Sequence, residues 1–252
     1  VSGPRPLAEA VRALTTVARN RGLRILNLAW AGSITGEHLT LTGLGVYGFG
    51  AHGAAGVGAV AVAQMLPAAF AAPFTAALGD RFRRERVLAG TEVVRALASL
   101  LAVVAVASGA GTVWVYALAG ILGVSRTAYY PAQAALIPLL AREAREVTAC
   151  GAAINLTKNV VNLAAPALAG LLLLVWPLWS VLLAAAAAFL LGAALVALWL
   201  SSTAALRVPA AGVTRLRALS AGLRAARRDP SVRLPLLLGG AQGAGRGAST
   251  CW

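Results

Sequence analysis

Apolar residues fill six long stretches of this chain, at roughly 24–46, 56–78, 87–108, 112–138, 147–175 and 178–200. A helix needs about 20 apolar residues to cross the hydrocarbon core of a bilayer, and each stretch meets that length. The fourth and fifth exceed it, and Pro131 and Pro166 sit where a long helix would kink. The pattern predicts an all-α membrane protein whose core is a six-transmembrane-helix bundle over 24–200.

The polar positions between the stretches alternate in kind. Arg5, Arg12, Arg19, Arg21 and Arg24 lie at the start, and the connection after the second stretch reads Gly79-Asp80-Arg81-Phe82-Arg83-Arg84-Glu85-Arg86. Arg142 and Arg145 follow the fourth stretch, and Arg207, Arg215, Arg217, Arg224, Arg227, Arg228 and Arg233 follow the sixth. The other connections, around 50–55, 109–111 and 176–177, contain no Lys or Arg. Cytoplasmic loops carry the excess of Lys and Arg, so both termini are expected on the cytoplasmic side of the plasma (inner) membrane. Segments 1–23 and 201–231 then read as basic cytoplasmic segments.

Composition agrees. Of 252 residues, 59% are hydrophobic and 12% charged, with a mean hydropathy of +0.78, against about 45–50% and about 25% in soluble domains. A net charge of +14 would point to nucleic acid in a soluble chain. Here the arginines sit between apolar stretches rather than among aromatics on a polar face, so no nucleic-acid partner is expected. Cys150 and Cys251 have no ligand spacing around them, and neither a metal nor a cofactor is predicted. The first apolar stretch is too long for a cleavable signal peptide.

Charges within a bilayer cost about 2.5–3.5 kcal/mol each on insertion scales, so they turn toward a bundle interior or a watery path. Glu37 lies roughly 18 Å into the first stretch at 1.5 Å per residue. Arg126 in the fourth and Lys158 in the fifth fall at similar depth. Around them, Arg126, Tyr129, Tyr130 and Gln133 recur at helical spacing, as do Asn155, Lys158, Asn159 and Asn162. Such stripes either glue helices together or line a path for a polar substrate or protons, and three ionisable groups at one depth favour the path. Glu37 and Arg126 are the natural ion pair; Lys158 could partner Glu37 instead, or stay free for an anionic substrate group. Glu92 and Arg95, three apart near the basic end of the third stretch, read as a structural intrahelical pair. The sixth stretch has no charge and reads as lipid-facing or as packing surface.

Six such stretches, with a basic loop after the second and a basic segment after the sixth, resemble the N-terminal half of a major facilitator superfamily transporter. The loop carries the best match to the family pattern G-x-x-x-D-R-x-G-R-R: Asp80, Arg81 and Arg84 are kept, while Ala76 and Arg83 replace both glycines. The run 165–170 is similar to the fifth-helix pattern G-P-x-x-G-G of proton-exchanging exporters through Pro166 and Gly170. Arg126 and the run from Tyr130 to Pro138 resemble bacterial drug and siderophore exporters. The resemblance implies two inverted three-helix repeats, with helices one, two, four and five around a central cavity and three and six outside. Gln64 joins the cavity candidates on that basis. It also implies alternating access, with protonation of Glu37 as the coupling step. The loop of Asp80, Arg81 and Arg84 would hold the cytoplasmic side closed. The function implied is proton-coupled efflux of small amphiphilic molecules, with the lipid bilayer, the substrate and protons as partners.

A transporter of that kind has a second half. Segment 201–231 reads as the linker between halves and 232–252 as an aborted or truncated seventh span, since Gly239 to Gly247 with Arg246 makes poor membrane helix. The start at Val1 and the single methionine, Met65, fit a chain that is processed, recoded or a fragment. Three readings follow: a truncated or frame-shifted copy that lacks its C-terminal half, a half-size transporter acting as a homodimer, or a non-transport module such as an anchor, sensor domain or lipid-modifying enzyme. An enzyme is disfavoured, because no paired carboxylates, nucleophile with a base, or phosphate-cradling loop is present. An anchor or sensor would not need aligned polar stripes.

Overall fold

The computed structural model describes residues 6–202, and the side chains of 12–75 and 82–199 within them. The linker and seventh span expected beyond 202 lie outside the described residues, as does the start of the N-terminal segment. Among the described residues there are six helices and no strand: α1 (Pro6–Arg19), α2 (Arg21–Arg81), α3 (Arg84–Ala107), α4 (Thr112–Leu140), α5 (Ala144–Val175) and α6 (Trp179–Ser202).

At 61 residues, α2 is far too long for one crossing, and its backbone leaves helical geometry at His52 (φ −144°, ψ 21°) and Gly53 (φ 60°, ψ −144°). The positive φ at Gly53 is one that side-chain-bearing residues avoid. There the chain doubles back, and Gly48 and Gly56 meet backbone to backbone; a Cβ on Gly48 would lie 2.6 Å from the Gly56 carbonyl oxygen. Thus α2 is a hairpin of two arms, over 21–51 and 54–81, and its turn falls in the uncharged connection expected at 50–55.

Four helices are long and apolar enough to cross a membrane, covering Arg21–Thr75, Arg84–Ala107, Ala144–Val175 and Trp179–Trp199. The first contains the first arm of α2 and the second as far as Thr75. At 29 residues α4 is long enough, but Arg126, Tyr129, Tyr130 and Gln133 dilute its hydropathy and it is not among the four. Length and composition alone therefore mark fewer spans than the six expected, because two are joined in one helix and one is polar. Pro131, Pro138 and Pro166 lie inside continuous helices.

The N-terminal segment forms a helix of its own. Val17 of α1 and Leu23 bury against Cys150 and Ala153 of α5. Asn20 makes the joint. Its Oδ1 accepts from the Gly22 and Leu23 amides at the start of α2, at 3.1 and 3.4 Å, which satisfies donors that a helix N-terminus leaves unpaired. Its Nδ2 donates to the Leu140 carbonyl and to Glu146, both at 3.0 Å.

Small residues set the helix packing, as they do where backbones must approach closely in hydrocarbon. Along the first arm of α2, Cβ atoms on Gly32, Gly36 and Gly43 would lie 2.9 Å from the Ala188 carbonyl, 2.8 Å from the Phe189 ring and 3.0 Å from Leu182, all on α6. The second arm lies against α4, where Gly123 sits on the Gln64 backbone. One face of α6 is buried through Val181, Leu182, Ala185, Phe189 and Val196, while Leu183, Leu190 and Leu191 stay exposed on the other. The sixth stretch is therefore packing surface on one face, and its other face is apolar and exposed.

Candidate functional site

The first arm of α2 and α4 bring opposite charges together. Glu37 Oε1 and Arg126 Nη1 are 3.0 Å apart, and the Tyr130 hydroxyl donates to Glu37 Oε2 at 3.2 Å. Arg126 also lies over the Tyr130 ring, 5.9 Å from its centre. The spacing explains the arrangement: residues 126 and 130 are one helical turn apart, so guanidinium and phenol reach the same carboxylate from one face of α4. Behind them, Trp30 packs edge-on against Tyr130 and stacks on Tyr129. The two charges differ in access, since the Arg126 side chain is 46% exposed and that of Glu37 16%.

Two cavities adjoin this pair. A small one of about 20 Å³, roomy enough for one water, is bounded by Glu37, Thr40, Gln64, Arg95, Arg126 and Phe189 among others. A larger one of about 310 Å³ shares Gln64, Gly123 and Arg126 with it and is otherwise lined mainly by apolar residues such as Leu41, Met65 and Ala68. Gln64 reaches the site because Gly123 has no side chain. A Cβ there would collide with the Gln64 carbonyl, so any larger residue would push the second arm of α2 away from α4. The Gln64 amide nitrogen is buried without a hydrogen-bond partner.

Glu92 and Arg95 are not arranged as expected. They are 0% and 2% exposed, and among the described residues they do not form an ion pair within 4.0 Å. Arg95 instead reaches across the bundle, donating from Nη1 to Ser33 Oγ at 2.7 Å and from Nε to Ser125 Oγ at 3.3 Å. Its guanidinium lies over the Tyr129 and Phe189 rings, at 4.9 and 5.6 Å. Both carboxylate oxygens of Glu92, and Nη2 of Arg95, are buried without a hydrogen-bond partner among the described residues. Sequence reasoning did not single out Ser33, Ser125 or Trp30. The signal for the two serines was an arginine within an apolar helix, whose N–H donors must find acceptors there.

The α5 stripe stands apart from the pair. Asn155, Lys158, Asn159 and Asn162 are all exposed on one face of that helix, and Lys158 makes no ion pair among the described residues. The hydrogen bond between α5 and the first arm of α2 comes instead from Asn27, which donates to Thr157 Oγ1 at 3.3 Å. Gln133 is buried, with its amide nitrogen unpartnered. In the basic loop, Arg84 Nη1 donates to the Ala135 carbonyl at 3.1 Å, tying the loop to α4; the side chains of Asp80 and Arg81 lie outside those described. No group of three or more His, Cys, Asp or Glu residues among the described residues could hold a metal.

A comparison with curated proteins finds no match. The family model for the Major Facilitator Superfamily matches residues 23–248. That match covers both arms of α2, all of α3 to α6, and both members of the Glu37–Arg126 pair. The chain belongs to the Major Facilitator Superfamily and is a multi-pass membrane transporter of that type.

Proposed function

We propose that this transporter exports small amphiphilic molecules in exchange for protons, with Glu37 and Arg126 as the coupling site. The observation that carries the reading is the 3.0 Å contact between Glu37 and Arg126, made between two helices, half open on the arginine side and next to a cavity. Protonating Glu37 removes its charge and frees Arg126. Deprotonation draws the arginine back and pulls α4 onto the first arm of α2. A substrate in the adjoining cavity of about 310 Å³ would lay its apolar body on Leu41, Met65 and Ala68 and its polar end on Gln64 and Arg126. Such a switch converts the charge state of one carboxyl into a change of helix contact, which alternating access requires.

The exposed polar face of α5, with Asn155, Lys158 and Asn162, is costly against lipid and suits the wall of a cavity shared with a second six-helix unit. That unit is either a further segment of the same polypeptide or a second copy. In this reading both ends of the bundle's chain are cytoplasmic, the membrane is the plasma membrane, and the loop of Asp80, Arg81 and Arg84 is the cytoplasmic gate.

The test is Glu37→Gln in proteoliposomes, with an imposed pH gradient and an amphiphilic dye such as ethidium as the probe. The variant should insert normally and lose gradient-driven dye movement. Gradient-driven movement at the wild-type rate would overturn the assignment.

A further inference from the structure

On a different face of the bundle, the second arm of α2, α3 and α4 enclose a groove of about 730 Å³. Its walls are almost wholly apolar, with Pro67, Gly90 and Ile121 among them. It opens outward: Val94 and Ile121 on its walls are 44% and 46% exposed, and Phe82 at its end 50%. In a membrane transporter an exposed apolar face suits hydrocarbon, where an acyl chain enters a groove without leaving its own medium.

The groove has a length and a polarity. Along α4 it runs from Ala128 to Tyr116, roughly 18 Å at 1.5 Å per residue, which is close to one leaflet of a hydrocarbon core about 30 Å thick. At the Ala128 end stands Arg86, on the basic loop. Its neighbours are engaged, Arg83 with Glu85 at 3.8 Å and Arg84 with the Ala135 carbonyl. Arg86 is exposed and makes no ion pair among the described residues. A guanidinium at the mouth of an acyl-sized groove complements a phosphate, which it can bind through two parallel hydrogen bonds.

We propose that this groove is a binding site for one anionic phospholipid, with an acyl chain lying between α2, α3 and α4 and the phosphate on Arg86. The site is separate from the Glu37–Arg126 pair and stands whether or not that pair couples protons. The lipid would brace the second arm of α2 against α4, the two elements that carry Gln64 and Arg126.

Native mass spectrometry of the full chain released from detergent tests this, using phosphatidylglycerol and phosphatidylcholine with identical acyl chains. The wild type should retain one phosphatidylglycerol in preference to phosphatidylcholine. Arg86→Gln should lower phosphatidylglycerol retention about fivefold, the effect of one interfacial basic residue, and erase the preference. Gly90→Leu should lower retention of both lipids, because a Cβ at Gly90 meets nothing within 4 Å and the added side chain enters the groove rather than a helix contact. Arg145→Gln, outside the groove, should change neither. Equal retention of both lipids, unaffected by Arg86→Gln, would overturn the proposal. A wild-type dimer that Gly90→Leu converts to monomer would overturn it too, by making the groove a contact between copies. Arg86 is exposed, so its replacement reads the headgroup contact even if Gly90→Leu does not fold.

Discussion

Glu37 and Arg126 meet across two helices with the arginine side chain 46% exposed, whereas Glu92 and Arg95, on one helix, are 0% and 2% exposed and make no ion pair within 4.0 Å. The residue types are the same and the constructions are opposite. Arg126 has a carboxylate, one phenol ring and open space, so it can exchange partners. Arg95 has two serine hydroxyls and two aromatic rings from three other helical segments, so moving it would uncouple all of them. A charge that must switch needs a partner and access; a charge that must stay is buried and tied to several helices at once.

The largest effect should come from the buried charge. Arg95→Ala removes two charge-assisted hydrogen bonds, to Ser33 and Ser125, and the packing on Tyr129 and Phe189, at a cost of about 3–5 kcal/mol. Thermal unfolding of the full chain in detergent, followed by circular dichroism, should show it as a large fall in midpoint. A fall no bigger than that of Arg126→Gln would erase the contrast between the two sites. Next in size is Gly123→Ala, whose Cβ collides with the Gln64 carbonyl and should cost about 1–3 kcal/mol through overpacking. Gly45→Ala is its control, because a Cβ there meets nothing within 4 Å and alanine gains helix propensity of up to about 1 kcal/mol. Equal effects from the two glycines would mean that the α2–α4 approach does not position Gln64.

Much of this was legible in the chain. The apolar stretches and their uncharged connection at 50–55 located both arms of α2, since hydrophobic length is a one-dimensional property. The pairing of Glu37 with Arg126 followed from sign and depth, also one-dimensional. Which way α3 faces did not. Glu92 and Arg95 looked like an interfacial pair because depth was counted along their own helix, whereas their burial comes from what lies beside it. On α6, a Cβ added to Gly192 would lie 3.4 Å from the Glu92 carboxyl carbon and 3.3 Å from the Ala29 carbonyl oxygen. Contacts between residues a hundred positions apart leave no periodic trace. The α5 stripe shows the same limit, since its spacing identified a polar face at Asn155, Lys158 and Asn162 without saying that Lys158 would be exposed and make no ion pair with Glu37.

The smallest effect separates the two constructions most sharply. Arg126 is nearly half exposed, so the energy it shares with Glu37 should be that of a screened pair, about 1 kcal/mol or less. A double-mutant cycle with Glu37→Gln, Arg126→Gln and both together, read by the unfolding midpoint in detergent, measures that coupling directly. A coupling of this size would mean that the pair contributes little to holding the bundle together, which leaves either charge free to change partner at small cost. The charge swap, Glu37→Arg with Arg126→Glu, should then regain the dye movement that each single substitution loses, because the contact needs opposite signs rather than a given order. A coupling of about 3–5 kcal/mol would put Glu37–Arg126 in the same class as the buried cluster, and a pair held that tightly could not serve as the moving part.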